Sequence, residues 1–101
     1  MRTSTRGAGA TLRVYGRYEG RELSIVGTRG PGSGVLGVYV NGALVRTVDL
    51  AADTLRQRVV LTSVAIPLEG RITVVNVTPA GRSAAAIAID GVVEIRHFLD
   101  R

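Results

Sequence analysis

The chain has 101 residues, a formal net charge of +5 and no cysteine. That length supports one domain with one core, and the missing thiols exclude disulfides, thiolate catalysis and zinc–thiolate sites together. All 13 basic residues are arginine, scattered from Arg2 to Arg101 without a run of two. The clustered basic stripe that tracks a phosphate backbone is therefore missing, and nucleic acid is a disfavoured partner. Hydrophobic residues make up 46% of the chain, too many for a disordered segment.

Residues 1–8, MRTSTRGA, are small, polar and basic. They are expected to form a flexible N-terminal arm or a cut end, with 9–101 a single β-sandwich domain. No apolar segment follows the early arginine, so no secretory signal is read there. The most apolar run, residues 84–93, is interrupted by Asp90 and Gly91 and is too short to span a bilayer. From residue 11 the pattern alternates. In TLRVYGRY, Leu12, Val14 and Tyr18 share one face and Arg13, Tyr15 and Arg17 the other, the period of a half-buried strand. EGRE is a turn, and ELSIVG is a second short strand with Leu23 and Ile25 on one face. TRGPGSG (residues 28–34) reads as a loop. It is not a phosphate cradle, because both phosphate-binding glycine motifs need a helix behind them and the strand VLGVYV follows instead.

VYVNGALVRTVDL (residues 38–50) is the clearest local signal. Asn41-Gly42 accepts positive φ at both central positions of a type I′ turn, whose twist matches the flanking strands. Leu36, Val38 and Val40 face the core and Tyr39 faces out. AADTLRQR (residues 51–58) is either a helical turn or a crossing loop between two sheets. RVVLTSVAI is a strand, PLEG a turn, and RITVVNV a strand with Ile72, Val74 and Asn76 on one face. TPAGRS is a loop. In the closing AAAIAIDGVVEIRHF, Asp90-Gly91 marks a turn or a bulge. Seven strands at roughly 8–12-residue spacing give an all-β, jelly-roll-like β-sandwich of two antiparallel sheets. Its expected core is Leu12, Val14, Tyr18, Leu23, Ile25, Leu36, Val38, Val40, Val48, Val60, Ile72, Val74, Ile87 and Ile89.

The residues offer little for catalysis. The one histidine, His97, is the fifth residue from the end of the chain, where ends fray. No serine sits in a G-x-S-x-G elbow, and no two carboxylates form a local pair of the glycosidase kind. The chain is read as a non-enzyme. Asn76-Val77-Thr78 matches the N-glycosylation pattern and is read as coincidence.

The segment ELSIVGTRGPGSGVLGVYVNGALVRTVDL (residues 22–50) resembles the galactose-binding-like jelly-roll modules of actinobacterial secreted and surface proteins. Tyr18 stands at the family's Phe and Gly20 at its Gly. Gly27 closes the second strand, Arg29-Gly30-Pro31 falls in the loop, and Asn41 replaces the usual Asp of the turn. Downstream, Arg58-Val59-Val60, Gly70-Arg71-Ile72-Thr73-Val74 and Ile87-Ala88-Ile89-Asp90-Gly91-Val92 resemble later strands of the family, so the likeness runs from Gly9 to Ile95. It implies a non-catalytic carbohydrate-binding or surface accessory module. Such a module is extracellular or at the cell surface and acts beside an adjoining catalytic domain. No cofactor is implied beyond a structural calcium, for which Asp49, Asp53 and the carbonyls of residues 51–56 are the nearest ligand set. The other reading of Asp49 is a strand-end or turn residue.

Sugar recognition needs an aromatic ring against an apolar sugar face and planar hydrogen-bonding groups around it. The candidate ligand-binding residues are Tyr15 and Tyr39 as platforms and Arg13, Arg17 and Arg46 as donors. The alternative is a structural or protein-interaction sandwich without a sugar ligand, assembling through an exposed strand edge.

Overall fold

The computed structural model of the chain describes residues 1–15, 21–66, 69–82 and 85–96. It is all-β, with strands β1 (Arg2–Thr3), β2 (Gly9–Tyr15), β3 (Arg21–Arg29), β4 (Val35–Val40), β5 (Ala43–Asp49), β6 (Arg56–Ile66), β7 (Glu69–Asn76) and β8 (Ile87–Arg96). They form two antiparallel four-stranded sheets, ordered β1-β8-β3-β6 and β2-β7-β4-β5. After each of β1 to β3 and β5 to β7 the chain changes sheet; only β4–β5 is a hairpin within one. This eight-strand order of two interlocked Greek keys is a jelly roll. No helix of the described residues is long and apolar enough to cross a membrane.

The hairpin forms as its sequence requires. Asn41 and Gly42 take φ of 51° and 85°, Val40 pairs with Ala43, and the Asn41 amide side chain accepts a hydrogen bond from the Arg71 backbone N–H at 2.9 Å. Residues 51–55 cross from the edge of one sheet to the edge of the other, the second of the two alternatives for that segment. Asp90 is a bulge, not a turn: β8 runs straight through it, and the register with β3 slips by one residue there. The glycine-rich loop is shorter than expected, because β3 continues to Arg29.

Leu23, Ile25, Leu36, Val38, Ile72, Val74, Ile87 and Ile89 are buried between the sheets as expected, and Val40 and Val48 pack against them. Val60 and Leu12 are corrections. Val60 is exposed, because β6 carries an extra residue at Leu61 opposite the Ile25/Val26 step of β3. The bulge reverses the inside–outside phase, so Leu61, Val64 and Ile66 enter the core instead. Leu12 is 41% exposed, since β2 is an edge strand and Leu12 borders the open groove beside β8. The Val14 side chain and Tyr18 lie outside the described residues.

The eighth strand, β1, falls within residues 1–8. Arg2 pairs with Ala88 and Thr3 with Ile87, the Met1 ammonium donates to the Ile89 carbonyl at 2.8 Å, and the Ile89 N–H donates to the Met1 carbonyl at 2.7 Å. The Arg6 guanidinium donates to the carbonyls of Thr78, Pro79 and Arg82.

Under this end of the sandwich lies a buried polar knot. Asn76, 1% exposed, donates through Nδ2 to the Ala85 carbonyl at 2.8 Å. Its Oδ1 accepts from the Thr78 backbone N–H at 3.2 Å and the Thr78 hydroxyl at 2.6 Å, and the same hydroxyl accepts the Val35 N–H at 2.9 Å. Asn76 therefore does the work of missing ladder bonds where β7 ends. With its amide buried and committed, it is not an exposed glycan acceptor.

Candidate functional site

The two sheets present different outer faces. In the β2-β7-β4-β5 sheet, Ile72, Val74, Leu36 and Val38 point inward, so alternation turns Thr11, Thr73, Tyr39 and Leu44 outward. These four residues form one transverse row: Thr11 pairs with Thr73, Thr73 with Tyr39, and Tyr39 with Leu44. The Thr11 and Thr73 hydroxyls share a hydrogen bond at 3.0 Å. Tyr39 is half-buried in the row, and Leu44 beside it is 50% exposed. A phenol ring, two hydroxyls and an aliphatic side chain thus lie across four strands of one open surface. On the outer side of the other sheet, Ser24 is buried with its hydroxyl 2.7 Å from that of Ser63, and Glu22, Ala65, Val26, Val60 and Val93 share that side.

The residues expected to bind ligand are only partly brought together. Tyr15 and Tyr39 do share a sheet, with β7 between their strands. Tyr15 pairs with Glu69, four positions along β2 from Thr11. At ~3.4 Å per residue and ~4.8 Å per strand, the two tyrosine positions are roughly 17 Å apart. A single sugar ring cannot bridge them. Arg13 is in register with Arg71. Arg17 lies outside the described residues.

Arg46 stands elsewhere. Val45 is an extra residue in β5, so Arg46 falls opposite inward-facing Val38 rather than in the Tyr39 row. Its guanidinium crosses the open flank between the sheets and donates to the Ser63 carbonyl of β6 at 3.3 Å. Arg71 takes the place intended for it. It is exposed on β7, one strand and two positions from Tyr39, about 8 Å away along the sheet. The alternation of RITVVNV already put Thr73 and Val75 outward, and two residues earlier it reaches Arg71. What alternation could not supply was the insertion of β7 between β2 and β4.

Asp49 and Asp53, the expected calcium ligands, part company. Both carboxylate oxygens of Asp49 are engaged by the fork of Arg82, at 2.9 and 2.8 Å, and Oδ1 also accepts the Ala51 N–H at 3.0 Å. The Arg82 hydrogen bond, followed by the Ala51 bond, lowers the Asp49 pKa to about 2, and the same partner raises that of Arg82. Arg82 also donates to the Ser33 carbonyl at 3.0 Å, and Arg29 to the Asp49 carbonyl at 2.8 Å. Asp49 therefore closes β5 as a turn and ion-pair residue. Asp53 lines a separate open cleft of about 500 Å³ with Arg29, Ala52, Thr54 and Arg56. Among the described residues no group of three or more His, Cys, Asp or Glu is placed to hold a metal ion. His97 is outside the described residues.

Comparison with family models, with curated proteins and with solved structures gives no match to this chain.

Proposed function

We propose that this jelly roll is a non-catalytic binding module for carbohydrate, acting as an accessory to a larger secreted or surface protein, and that its binding surface is the outer face of the β2-β7-β4-β5 sheet. The observation that carries the reading is the row Thr11–Thr73–Tyr39–Leu44, with Arg71 one diagonal step away. An aromatic ring stacks on the apolar side of a pyranose, while hydroxyls and a guanidinium satisfy the equatorial hydroxyls at its rim. The β-strands hold these groups rigidly, so little order has to be created on binding. The face is open and buries little of a ligand, so affinity per site is modest. The spacing of Tyr39 and Tyr15 fits an extended chain better than a single sugar.

Affinity electrophoresis against neutral and acidic polysaccharides tests this, with wild type beside Tyr39→Ala and Arg71→Ala. Selective retardation by a neutral glycan, lost in Tyr39→Ala, is the expected result. If no glycan retards the protein, the interaction-sandwich reading replaces this one. Retardation by acidic polymers only, abolished by salt, would reduce the site to its charge.

A further inference from the structure

The end of the sandwich where β5 hands over to β6 carries a polar cleft, apart from the sheet face. Residues 51–55 cross there. Two backbone hydrogen bonds hold the crossing to the end of β3, from the Gly30 N–H to the Leu50 carbonyl at 3.0 Å and from the Ala52 N–H to the Gly30 carbonyl at 3.3 Å. Leu50 is fully buried beneath them. The cleft holds about 500 Å³ and is lined by Arg29, Ala52, Asp53, Thr54 and Arg56, a volume within the range of small-molecule sites. Arg29 and Arg56 stand directly opposite each other in the β3–β6 register. Like charges so placed repel. Asp53 lines the same cleft, yet among the described residues neither its carboxylate nor the Arg56 guanidinium has a hydrogen bond or an ion pair. Arg29 is half-buried and anchored, donating through one nitrogen to the Asp49 carbonyl at 2.8 Å. A guanidinium has further donors to give.

We propose that this cleft binds the carboxylate of an acidic sugar, a hexuronate, between Arg29 and Arg56. The guanidinium fork matches a carboxylate with two parallel hydrogen bonds, and an anion seated between the two arginines removes their repulsion. Two arginines and one aspartate give the cleft a formal charge of +1, which one carboxylate cancels. A dianion overshoots that balance and meets the Asp53 carboxylate. Asp53 also has a use of its own. A carboxylate only accepts hydrogen bonds, and sugar hydroxyls donate them. Donors for an acid group and an acceptor for hydroxyls thus stand in one cleft, which suits a hydroxylated acid better than a bare anion. The Thr54 hydroxyl, on the same lining, serves either way. The cleft is separate from the Tyr39 row. Val35 pairs with Asp49 at the cleft end of the β4–β5 hairpin. Tyr39 is four positions further along β4, ~14 Å away at ~3.4 Å per residue. The inference goes beyond the sheet-face reading and does not depend on it.

The cleft is open to solvent, so a dissociation constant on the order of millimolar is expected for a single sugar. Backbone-amide NMR titration of the full chain at fixed ionic strength tests the assignment, with D-glucuronate, D-glucose, acetate and sulfate as probes. The same spectra report whether each variant is folded. Glucuronate should shift the amides of Arg29 and of residues 52–56. Acetate and sulfate should bind at least fivefold more weakly, and glucose should leave those amides in place. Arg56→Ala should weaken glucuronate at least tenfold. Asp53→Asn should raise the affinity for sulfate to the level of glucuronate, and Tyr39→Ala should change neither. Unmoved amides at 29 and 52–56 overturn the proposal. So does glucuronate binding indifferent to Arg56→Ala, sulfate binding indifferent to Asp53→Asn, or any other probe binding wild type as tightly as glucuronate. Binding lost in Tyr39→Ala also overturns it, by placing the uronate on the sheet face. A sheet face that retains no glycan, with these shifts intact, sinks the earlier reading and upholds this one.

Discussion

Replacing Asn76 by alanine probes the polar knot on which the loop end rests. The substitution removes one donor and one acceptor from a site that is 1% exposed. The Ala85 carbonyl loses the Nδ2 donor, and the Thr78 N–H loses the Oδ1 acceptor. The Thr78 hydroxyl loses Oδ1 as well but keeps the Val35 N–H. Two buried main-chain groups are therefore stranded. At about 1–3 kcal/mol for each, the loss is about 2–6 kcal/mol, a large part of the roughly 5–15 kcal/mol that stabilises a domain. With an m-value of about 1.5 kcal/mol per M, a 3 kcal/mol loss lowers the urea midpoint by about 2 M. Circular dichroism follows the transition, since the chain has no tryptophan. Thr78→Val should cost about 1–3 kcal/mol by stranding the Val35 N–H. The double variant should cost less than the sum, because the two side chains share a bond. A loss below about 1 kcal/mol for Asn76→Ala, or strict additivity, would refute this account of the knot.

Two further outcomes are expected of the same end of the sandwich. The Asp49–Arg82 pair depresses the carboxylate pKa, so its stabilisation is present above the ordinary value of 3.8 and is lost as pH falls toward about 2. The stability gap between wild type and Asp49→Asn should close over that interval and shrink in high salt; a gap unchanged by both would remove the ion pair as its cause. Gly34→Ala drives a Cβ into Thr78 Oγ1 and to 2.9 Å from the Ala85 backbone, whereas a Cβ at Gly81 meets nothing within 4 Å. Gly34→Ala should cost about 2–3 kcal/mol in urea unfolding and Gly81→Ala under about 0.5; equal effects would sink the packing argument.

The sequence carried the sandwich because its strands obey period two and its hairpin has a turn that only one geometry satisfies. It was misleading wherever a strand changed phase. Val60 has the composition of a core residue, and only the extra residue at Leu61 turns it outward. Arg46 alternates correctly with its neighbours, but Val45 is inserted beside it, and the guanidinium ends on another sheet. β1 has two residues, too few to show any period. The candidate face was half legible: Tyr39 followed from alternation within one strand, while Thr11, Thr73 and Arg71 join it through pairings between distant strands. The Asp49–Arg82 contact joins residues 33 apart in sequence, and nothing local announces it.

Four of the arginines that raised the question of an acidic partner have a structural explanation. Arg6 holds the carbonyls of Thr78, Pro79 and Arg82; Arg29 holds that of Asp49; Arg46 holds that of Ser63; Arg82 holds Ser33 and the Asp49 carboxylate. Each contact ties one loop or strand to another, in a fold with no disulfide and no helix among its described residues. Loop carbonyls need donors, and a guanidinium offers five in a fixed fork. Lysine, a single point of charge on a flexible stem, could not span Ser33 and both oxygens of Asp49 at once. Four of the 13 arginines are thus committed to tying one segment of the fold to another. An exposed arginine such as Arg71, standing beside Tyr39 on an open sheet, is for that reason more informative about ligand than the net charge of the chain.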